Sequence, residues 1–261
     1  MLELINLSTT FSVGKKQINA VNGVSLNVPE GKTIGLVGES GSGKSVTSLS
    51  TMRLLPFNAT CSGDIRWKGQ NLHHYSDDQM RQIRGREIAM IFQNPLSALN
   101  PVFTIGNQMI ETILHHHNIS KNEAKDRAIQ LLDRVKIPDP ELRINDYPHQ
   151  FSLGMCQRIM IALTLTMEPE LVIADEPTAS LDVTVQTKIM DLLNELQREL
   201  GMSMLLISHD LGVIAQNCDY IYIMYKGKIV EEGSAYDIFK TPKDPYTQAL
   251  IAAIPSIDPP K

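Results

Sequence analysis

Gly38-Glu39-Ser40-Gly41-Ser42-Gly43-Lys44-Ser45 is the stretch of sequence that decides the fold. It fits the pattern G-x-x-x-x-G-K-[ST] at every fixed position, and its small residues let the backbone curl with the N–H groups pointing inward. Such a nest binds phosphate groups, while Lys44 can reach the β- and γ-phosphates and the Ser45 hydroxyl is suited to Mg²⁺. The stretch therefore predicts a phosphate loop that runs into a helix at Val46, and the positive end of the helix dipole adds to the attraction.

The segments on either side of this loop have the order that the motif requires. Residues 33–37 form a short apolar run typical of a buried strand, and apolar residues over 46–55 recur at the spacing of a helix. The alternative is a glycine- and serine-rich surface turn. The succession of strand, loop and helix favours the phosphate loop.

Composition places the chain among ordinary globular proteins. Its 261 residues are 43% hydrophobic, enough for a sizeable core in one large domain or in a core with a smaller subdomain. The formal net charge of -5 argues against a nucleic-acid-binding protein with a broad basic face. Three widely spaced cysteines indicate reduced thiols rather than a disulfide framework or a CxxC metal site. No apolar run approaches the ~20 residues that span a bilayer, and the N-terminus lacks the pattern of an export signal.

Two adjacent carboxylates, Asp175 and Glu176, follow the apolar segment 171–174 directly, and Pro177 then stops the strand. Asp175 can hold the Mg²⁺ that Ser45 also binds, and Glu176 can orient or deprotonate a water that attacks the γ-phosphate. An acidic pair that only starts a loop is the alternative. The phosphate loop in the same chain counts against it.

Gln93 and His209 also follow apolar segments, at the ends of 87–92 and 202–207. In open α/β sheets, ligands bind where strands of the core end, so both side chains are candidates for the same site. His209 can donate a hydrogen bond to the γ-phosphate oxygens where negative charge develops. The alternatives are a glutamine that caps the backbone and a structural histidine.

The part of the chain before the phosphate loop predicts strands with one buried face, because apolar residues alternate with others over 2–4 and 24–28. Phe11 lies between these two runs. It can stack on an adenine base or belong to the core, and its spacing leaves both possibilities open.

Residues 105–136 predict two helices, because their apolar residues recur at spacings of three and four. Ser120 and Glu123 form a capping box at the start of the second helix. This helical insert between two strand-rich parts suggests a subdomain. His115, His116 and His117 end the first helix, and a solvated helix end is favoured over a metal site because adjacent histidines point in different directions.

These residues together resemble an ABC transporter ATPase subunit, and the resemblance covers essentially the whole chain. Segment 171–176 is similar to the Walker B segment, Ser180-Leu181-Asp182 to the D-loop, Gln93 to the Q-loop glutamine, His209 to the switch histidine and Phe11 to the adenine-stacking aromatic. Three runs resemble the oligopeptide, dipeptide and nickel importer branch of that family. They are Tyr147-Pro148-His149-Gln150, residues 94–101, and Asp244-Pro245-Tyr246-Thr247-Gln248-Ala249-Leu250.

The resemblance implies an α/β fold with a P-loop NTPase core around a mixed sheet. An N-terminal antiparallel part is expected near 1–30 and 60–70, with a helical subdomain at 95–165 inserted into a single domain that spans 1–261. The implied function is ATP hydrolysis with Mg²⁺ that powers import of peptides, nickel or metal chelates, or a similar small solute. The implied partners are a second ATPase subunit, two permease subunits and an extracytoplasmic solute-binding protein, at the cytoplasmic face of the membrane. No nucleic-acid partner is expected, since the chain lacks the coiled-coil arms or second ATPase domain of the family's DNA-repair and translation members.

The departure from the family lies in its signature segment. Here that segment reads Phe151-Ser152-Leu153-Gly154-Met155, where the family usually has Leu-Ser-Gly-Gly-Gln or Leu-Ser-Gly-Gly-Met. In the family this segment contacts ATP held by the opposite chain. Leu153 is expected to crowd the phosphate and, if its position needs a positive φ, to cost about 1–2 kcal/mol.

Two further hypotheses follow from this departure. An asymmetric heterodimer is expected, with the chain's own ATP site intact and the opposite site slow, unless Leu153 is tolerated and both sites work. The competing function is a non-transport or regulatory ABC protein that binds ATP and hydrolyses little of it.

Overall fold

A computed structural model describes residues 1–179 and 181–253 of the chain. Ser180, in the segment similar to a D-loop, and residues 254–261 lie outside the described residues. The chain divides into two units, and each has its own core. The first unit contains Met1–Met80 and the chain from Ser203 onward, and the second contains Arg81–Met202.

Strands and helices alternate along much of the chain. The strands are β1 (Leu2–Val13), β2 (Lys16–Val28), β3 (Thr33–Val37), β4 (Ala59–Trp67), β5 (Gln70–Asn71), β6 (Ile88–Ile91), β7 (Leu171–Asp175), β8 (Ser203–Ser208), β9 (Tyr220–Tyr225) and β10 (Lys228–Ser234). The helices are α1 (Lys44–Thr51), α2 (Asp77–Ile83), α3 (Pro95–Ala98), α4 (Ile105–His116), α5 (Lys121–Arg134), α6 (Pro140–Arg143), α7 (Leu153–Thr164), α8 (Val183–Leu200), α9 (Leu211–Asn217), α10 (Ala235–Lys240) and α11 (Pro245–Ala252). Short 3-10 helices occur at Leu72–His74, Pro148–Gln150 and Leu165–Met167. Within the described parts of the chain, every helix is too short or too polar to cross a bilayer.

The first unit contains an antiparallel sheet with strand order β2-β1-β4-β5. Leu2 and Leu4 of β1 are buried and lie opposite Val28 and Leu26 of β2, which are buried as well. The predicted N-terminal antiparallel part, with one buried face, is therefore confirmed.

The same unit also contains mixed strand pairing. The central strand β3 is parallel to β8 on one side and to β9 on the other, and β10 pairs antiparallel with β9. All five residues of β3 are buried, as expected for a strand that is covered on both faces.

Helix α1 is shorter than the sequence predicts, because it ends at Thr51 and leaves Leu54 outside. Ser50 and Thr51 direct their hydroxyl groups back to the carbonyl oxygens of Val46 and Thr47, at 2.6 and 2.9 Å, which competes with continued helix formation. Arg53 then adopts a left-handed φ of 51°. Local hydroxyl chemistry thus overrides the apolar spacing that predicted a longer helix.

The second unit combines the parallel pair β6 and β7 with helices α3 to α8. The two helices predicted for 105–136 are confirmed as α4 and α5, and Ser120 and Glu123 form the expected capping box. Helix α4 packs against α5, and α5 against α7. Their buried apolar residues include Ile105, Met109, Ile113, Ala124, Ala128 and Leu132.

Candidate nucleotide-binding site

The predicted phosphate loop leaves β3 at Gly38 and enters α1 at Lys44. A Cβ atom at Gly38 would lie 2.1 Å from the Met224 carbonyl oxygen, and one at Gly43 would lie 2.5 Å from the Ala20 carbonyl oxygen. Gly43 also has a φ of 111°, which side chains rarely allow. Only glycine fits at both ends of this curled backbone.

The Lys44 side chain folds back and binds the backbone at the start of the phosphate loop. It is buried, and Nζ donates hydrogen bonds to the carbonyl oxygens of Gly38 and Glu39, at 2.8 and 2.9 Å. The Glu39 carbonyl oxygen also accepts the N–H of Ser42, at 3.1 Å. The ammonium group is therefore held against the loop backbone, where it can attract phosphate oxygens.

Ser42 carries the clearest sign of a ligand. Its hydroxyl oxygen is buried and has no hydrogen-bond partner among the described residues. An unmet buried hydroxyl costs about 1–3 kcal/mol, and a phosphate oxygen in the cradle would meet it. The glycine-lined backbone, the buried ammonium group and this hydroxyl together fit a nucleotide phosphate.

His209 lies beside the loop within the first unit. It follows β8, whose last residue, Ser208, is in register with Val37, the residue before the loop begins. Its exposed side chain thus starts at the same sheet edge as the phosphate loop. Phe11 is half-buried on β1, paired with Ile18 and Ala59. Its role as a stacking or a core residue stays a prediction.

In the second unit, the structure brings Gln93 and Glu176 together. Ile91 of β6 is in register with Ala174 of β7, so the residues that follow both strands leave one sheet edge. Gln93 Nε2 donates a hydrogen bond to Glu176 Oε2, at 2.9 Å. Asp175 is the buried last residue of β7. The sequence predicted these strand ends, but not the bond between the two side chains.

Glu176 has a left-handed backbone with a φ of 49°. For a residue other than glycine this conformation costs about 1–2 kcal/mol, and such strain is concentrated at functional sites. The side chain is held by Gln93 as well. The backbone conformation and the hydrogen bond from Gln93 together determine where the Glu176 carboxylate lies in this structure.

The signature segment begins helix α7, and it corrects one expectation. Ser152 is the N-cap, and its Oγ accepts the N–H of Met155 at 3.3 Å. Leu153 is the first helical residue and is not among the described residues with positive φ. The condition for the expected backbone-strain cost, a positive φ at Leu153, is therefore not met, because helical φ is negative and is open to L-residues.

Gly154 lies next to the helix that follows the D-loop. A Cβ atom there would lie 2.9 Å from Val185 Cγ1. Asp182 caps that helix, α8, and its Oδ1 accepts the N–H of Val185 at 2.9 Å. Asp182 therefore stabilises the start of α8, in addition to belonging to the segment that resembles a D-loop.

One contact at the phosphate loop was not predicted as part of the site. The phenol oxygen of Tyr246, on α11, accepts the N–H of Glu39 at 3.0 Å. In the sequence, Tyr246 is part of the run 244–250 that resembles the peptide and nickel importer branch. Nothing in that run indicates a hydrogen-bond partner 207 residues earlier.

The chain matches two family profiles. A family profile described as ABC transporter matches residues 21–179, and one described as oligopeptide/dipeptide transporter, C-terminal region, matches residues 230–261. The chain is 48% identical over 260 residues to the dipeptide transport ATP-binding protein DppD of Bacillus subtilis, covering 99% of this chain and 78% of DppD. It is 44% identical over 260 residues to the oligopeptide transport ATP-binding protein OppD of the same organism, covering 99% of this chain and 73% of OppD.

Solved structures are similar as well. A dimeric ATP-binding cassette in a post-hydrolysis state, bound to ADP and Pi, superposes with a TM-score of 0.80 at 28% identity, covering 90% of this chain and 99% of that one. The protein cbiO1 of Clostridium perfringens, part of an ABC transporter complex, superposes with a TM-score of 0.77 at 26% identity, covering 91% of this chain and 90% of that one.

Proposed function

Because the chain belongs to the ABC transporter family, we propose that it is the ATP-hydrolysing subunit of a peptide importer. Membership makes it an ABC ATPase with the P-loop NTPase fold, so the predicted α/β fold class is confirmed. The main support for ATP binding is the phosphate cradle formed by Gly38, Ser42 and Lys44. Nucleotide binding is proposed for the whole predicted run, residues 38–46, with Phe11 at the adenine.

Peptides are the proposed cargo of the transporter. Two relatives are named for dipeptide and oligopeptide transport, and the C-terminal profile carries the same description. Nickel, which the sequence left open, has no such support among these relatives. Peptide is therefore preferred over nickel.

Mg²⁺ fits the proposed donor set. Ser45, Gln93 and Asp175 supply hydroxyl, amide and carboxylate oxygens, the ligands that Mg²⁺ prefers. Gln93 Nε2 is engaged with Glu176, which makes Oε1 the amide atom suited to a cation. When bound, Mg²⁺ would neutralise charge on the β- and γ-phosphates.

Glu176 is the proposed general base, and His209 the proposed hydrogen-bond donor to the γ-phosphate. Support for Glu176 comes from its position after the buried strand β7, its constrained backbone and the hydrogen bond from Gln93. A carboxylate held in this way can orient and deprotonate a water molecule, and little conformational entropy of its side chain is lost when it does so.

The proposed assembly contains a second ABC ATPase subunit, two permease subunits and an extracytoplasmic solute-binding protein. The chain would lie at the cytoplasmic face of the membrane, attached through the permeases. We also propose one ABC domain over 1–261 with a helical subdomain at 95–165. The described regular structure between Pro95 and Thr164 is entirely helical, which supports that subdomain.

The proposed importer is tested by reconstituting the complex with its binding protein in proteoliposomes. Peptide-loaded binding protein should stimulate ATP hydrolysis and drive uptake of labelled peptide, and omission of ATP should abolish uptake. Stimulation by a nickel chelate but not by peptide would contradict the proposed cargo. Wild-type ATP binding with no stimulated hydrolysis would support the regulatory alternative instead.

We propose further that the transporter contains two different ATPase chains, because the signature segment here is altered. Because φ at Leu153 is not positive, the proposal depends on the Leu153 side chain, which is half-exposed at the start of α7. A leucine there would fill space that a glycine leaves to the phosphate of the opposite chain. Ser152 and Gly154 keep the residue types of the family.

Leu153→Gly should raise the ATPase rate of the assembled complex about twofold, since two sites would then turn over instead of one. The measurement is the steady-state rate at saturating ATP. Lys121→Gly is the matched control, because Lys121 is the exposed first residue of helix α5. Both variants place a glycine at the first position of a helix, so both should destabilise that helix to a similar extent. A Leu153→Gly rate equal to wild type would remove the argument for an impaired site.

A further inference from the structure

Tyr246 connects helix α11 to the phosphate loop through the backbone of one residue, Glu39. Its phenol oxygen accepts the N–H of Glu39 at 3.0 Å. On the other side of the Glu39 residue, the carbonyl oxygen accepts Lys44 Nζ at 2.9 Å and the N–H of Ser42 at 3.1 Å. Movement of Glu39 would therefore shift the Lys44 ammonium group, which is proposed to bind phosphate.

The Tyr246 ring is itself held by the last residue of β9, next to the turn into β10. It stacks on Tyr225, with ring centres 4.2 Å apart and planes 28° apart. Two residues later, the N–H of Gly227 donates to the Ser42 carbonyl oxygen at 2.8 Å. The turn and α11 thus support the loop at two separate points, the Glu39 N–H and the Ser42 carbonyl group.

Glu231 of β10 fixes the segment that leads into α11. Its two carboxylate oxygens accept the N–H groups of Lys243 and Asp244, at 2.8 and 3.0 Å. Asp244 in turn caps α11, and its Oδ1 accepts the N–H of Tyr246 at 2.8 Å. Partial burial acts to raise the pKa of Glu231, but its hydrogen bonds outweigh this and lower the pKa. The carboxylate that anchors α11 is therefore ionised at neutral pH.

We propose that Tyr246 is a positioning residue for ATP, which holds the Glu39 peptide so that Lys44 and the first turn of the phosphate loop stay in the nucleotide-binding conformation. The inference rests on the proposed assignment of this loop as the ATP site. A loop that is already in its binding conformation loses less conformational freedom when the ligand binds, so the affinity is higher. Tyr246 acts through the peptide of Glu39 and needs no contact with the nucleotide.

Tyr246→Phe tests the inference, because it removes the acceptor oxygen and keeps the ring that stacks on Tyr225. The Kd for ATP with Mg²⁺, measured on the full chain by calorimetry, should rise about three- to tenfold, the range for loss of one hydrogen bond. In the assembled complex, KM should rise by a similar factor while kcat changes little, since the chemical groups are untouched.

Tyr222→Phe is the matched control. The Tyr222 phenol oxygen also accepts a backbone N–H in the first unit, that of Asn27, at 3.1 Å. This substitution should lower the thermal stability to a similar extent but leave the Kd for ATP at its wild-type value. Lys44→Ala is measured as a third variant, because it tests whether the phosphate loop is the ATP site.

The possible outcomes separate the two claims. Loss of ATP binding in Lys44→Ala together with a wild-type Kd in Tyr246→Phe would overturn the role of Tyr246 and keep the site. Equal weakening in Tyr246→Phe and Tyr222→Phe would also overturn it, since general destabilisation would then account for both. A Kd that is unchanged in Lys44→Ala would overturn the site assignment and the role of Tyr246 with it.

Discussion

Glu176→Gln should reduce the ATPase rate of the assembled transporter about 10²–10⁴-fold, the contribution typical of a positioned general base. ATP binding should remain close to wild type, because the phosphate cradle lies in a separate part of the chain, 38–45. Glutamine has the same shape as glutamate and keeps an oxygen that can accept Gln93 Nε2, whose bond to Glu176 is 2.9 Å long. The variant therefore removes the basic carboxylate and preserves the local structure.

The measurement is phosphate release at saturating ATP, together with the Kd for ATP of the same preparation. Glu199→Gln is the matched control, because Glu199 also lies in the second unit and its carboxylate is a partly exposed ion-pair partner of Arg134. This control should change neither quantity. A wild-type rate in Glu176→Gln would show that another group activates the water.

Local patterns made the elements around the loop predictable. Strand β3, the phosphate loop and the start of α1 follow one another within about a dozen residues, so one motif and two periodicities were sufficient. Helix α8 has local start and stop signals of the same kind, because Asp182 caps its start and Gly201 ends it in a left-handed conformation with a φ of 63°. Signals of this kind act over a few residues and need no knowledge of the fold.

Contacts between distant segments were not predictable in the same way. The hydrogen bond between Glu39 and Tyr246 joins residues that are 207 positions apart, and it depends on how β9, β10 and α11 fold back to the loop. The bond from Gln93 to Glu176 depends on the register between β6 and β7. Each strand end was predicted by itself, but the sequence carries no direct record of the register.

Leu153 illustrates a different kind of error. Loss of a glycine costs backbone free energy only where the position has a positive φ, and the residue types of a motif do not give φ. The backbone conformation at this position is set by Ser152, whose side chain starts a helix, and helical φ is negative. A glycine in a family pattern therefore does not by itself indicate a left-handed residue.

Lys44→Ala should weaken ATP binding about 10- to 100-fold, because the phosphates lose one or two charge-assisted hydrogen bonds. ATPase activity should fall with it at limiting ATP. The Lys44 side chain is buried against the loop, and Nζ lies 2.8 Å from the Gly38 carbonyl oxygen. Alanine leaves the backbone N–H groups of the nest in place, so residual binding is expected.

Lys32→Ala separates the effect of the site from that of net charge. Lys32 lies in the same unit, and its half-exposed ammonium group is paired with Asp219 at 3.1 Å. Its loss changes the charge of the chain by the same amount and should leave the Kd for ATP unaltered, since exposed ion pairs contribute little. A wild-type Kd for ATP in Lys44→Ala would contradict the assignment of residues 38–45 as the ATP site, because the buried ammonium group beside the carbonyl oxygens of Gly38 and Glu39 is part of that site.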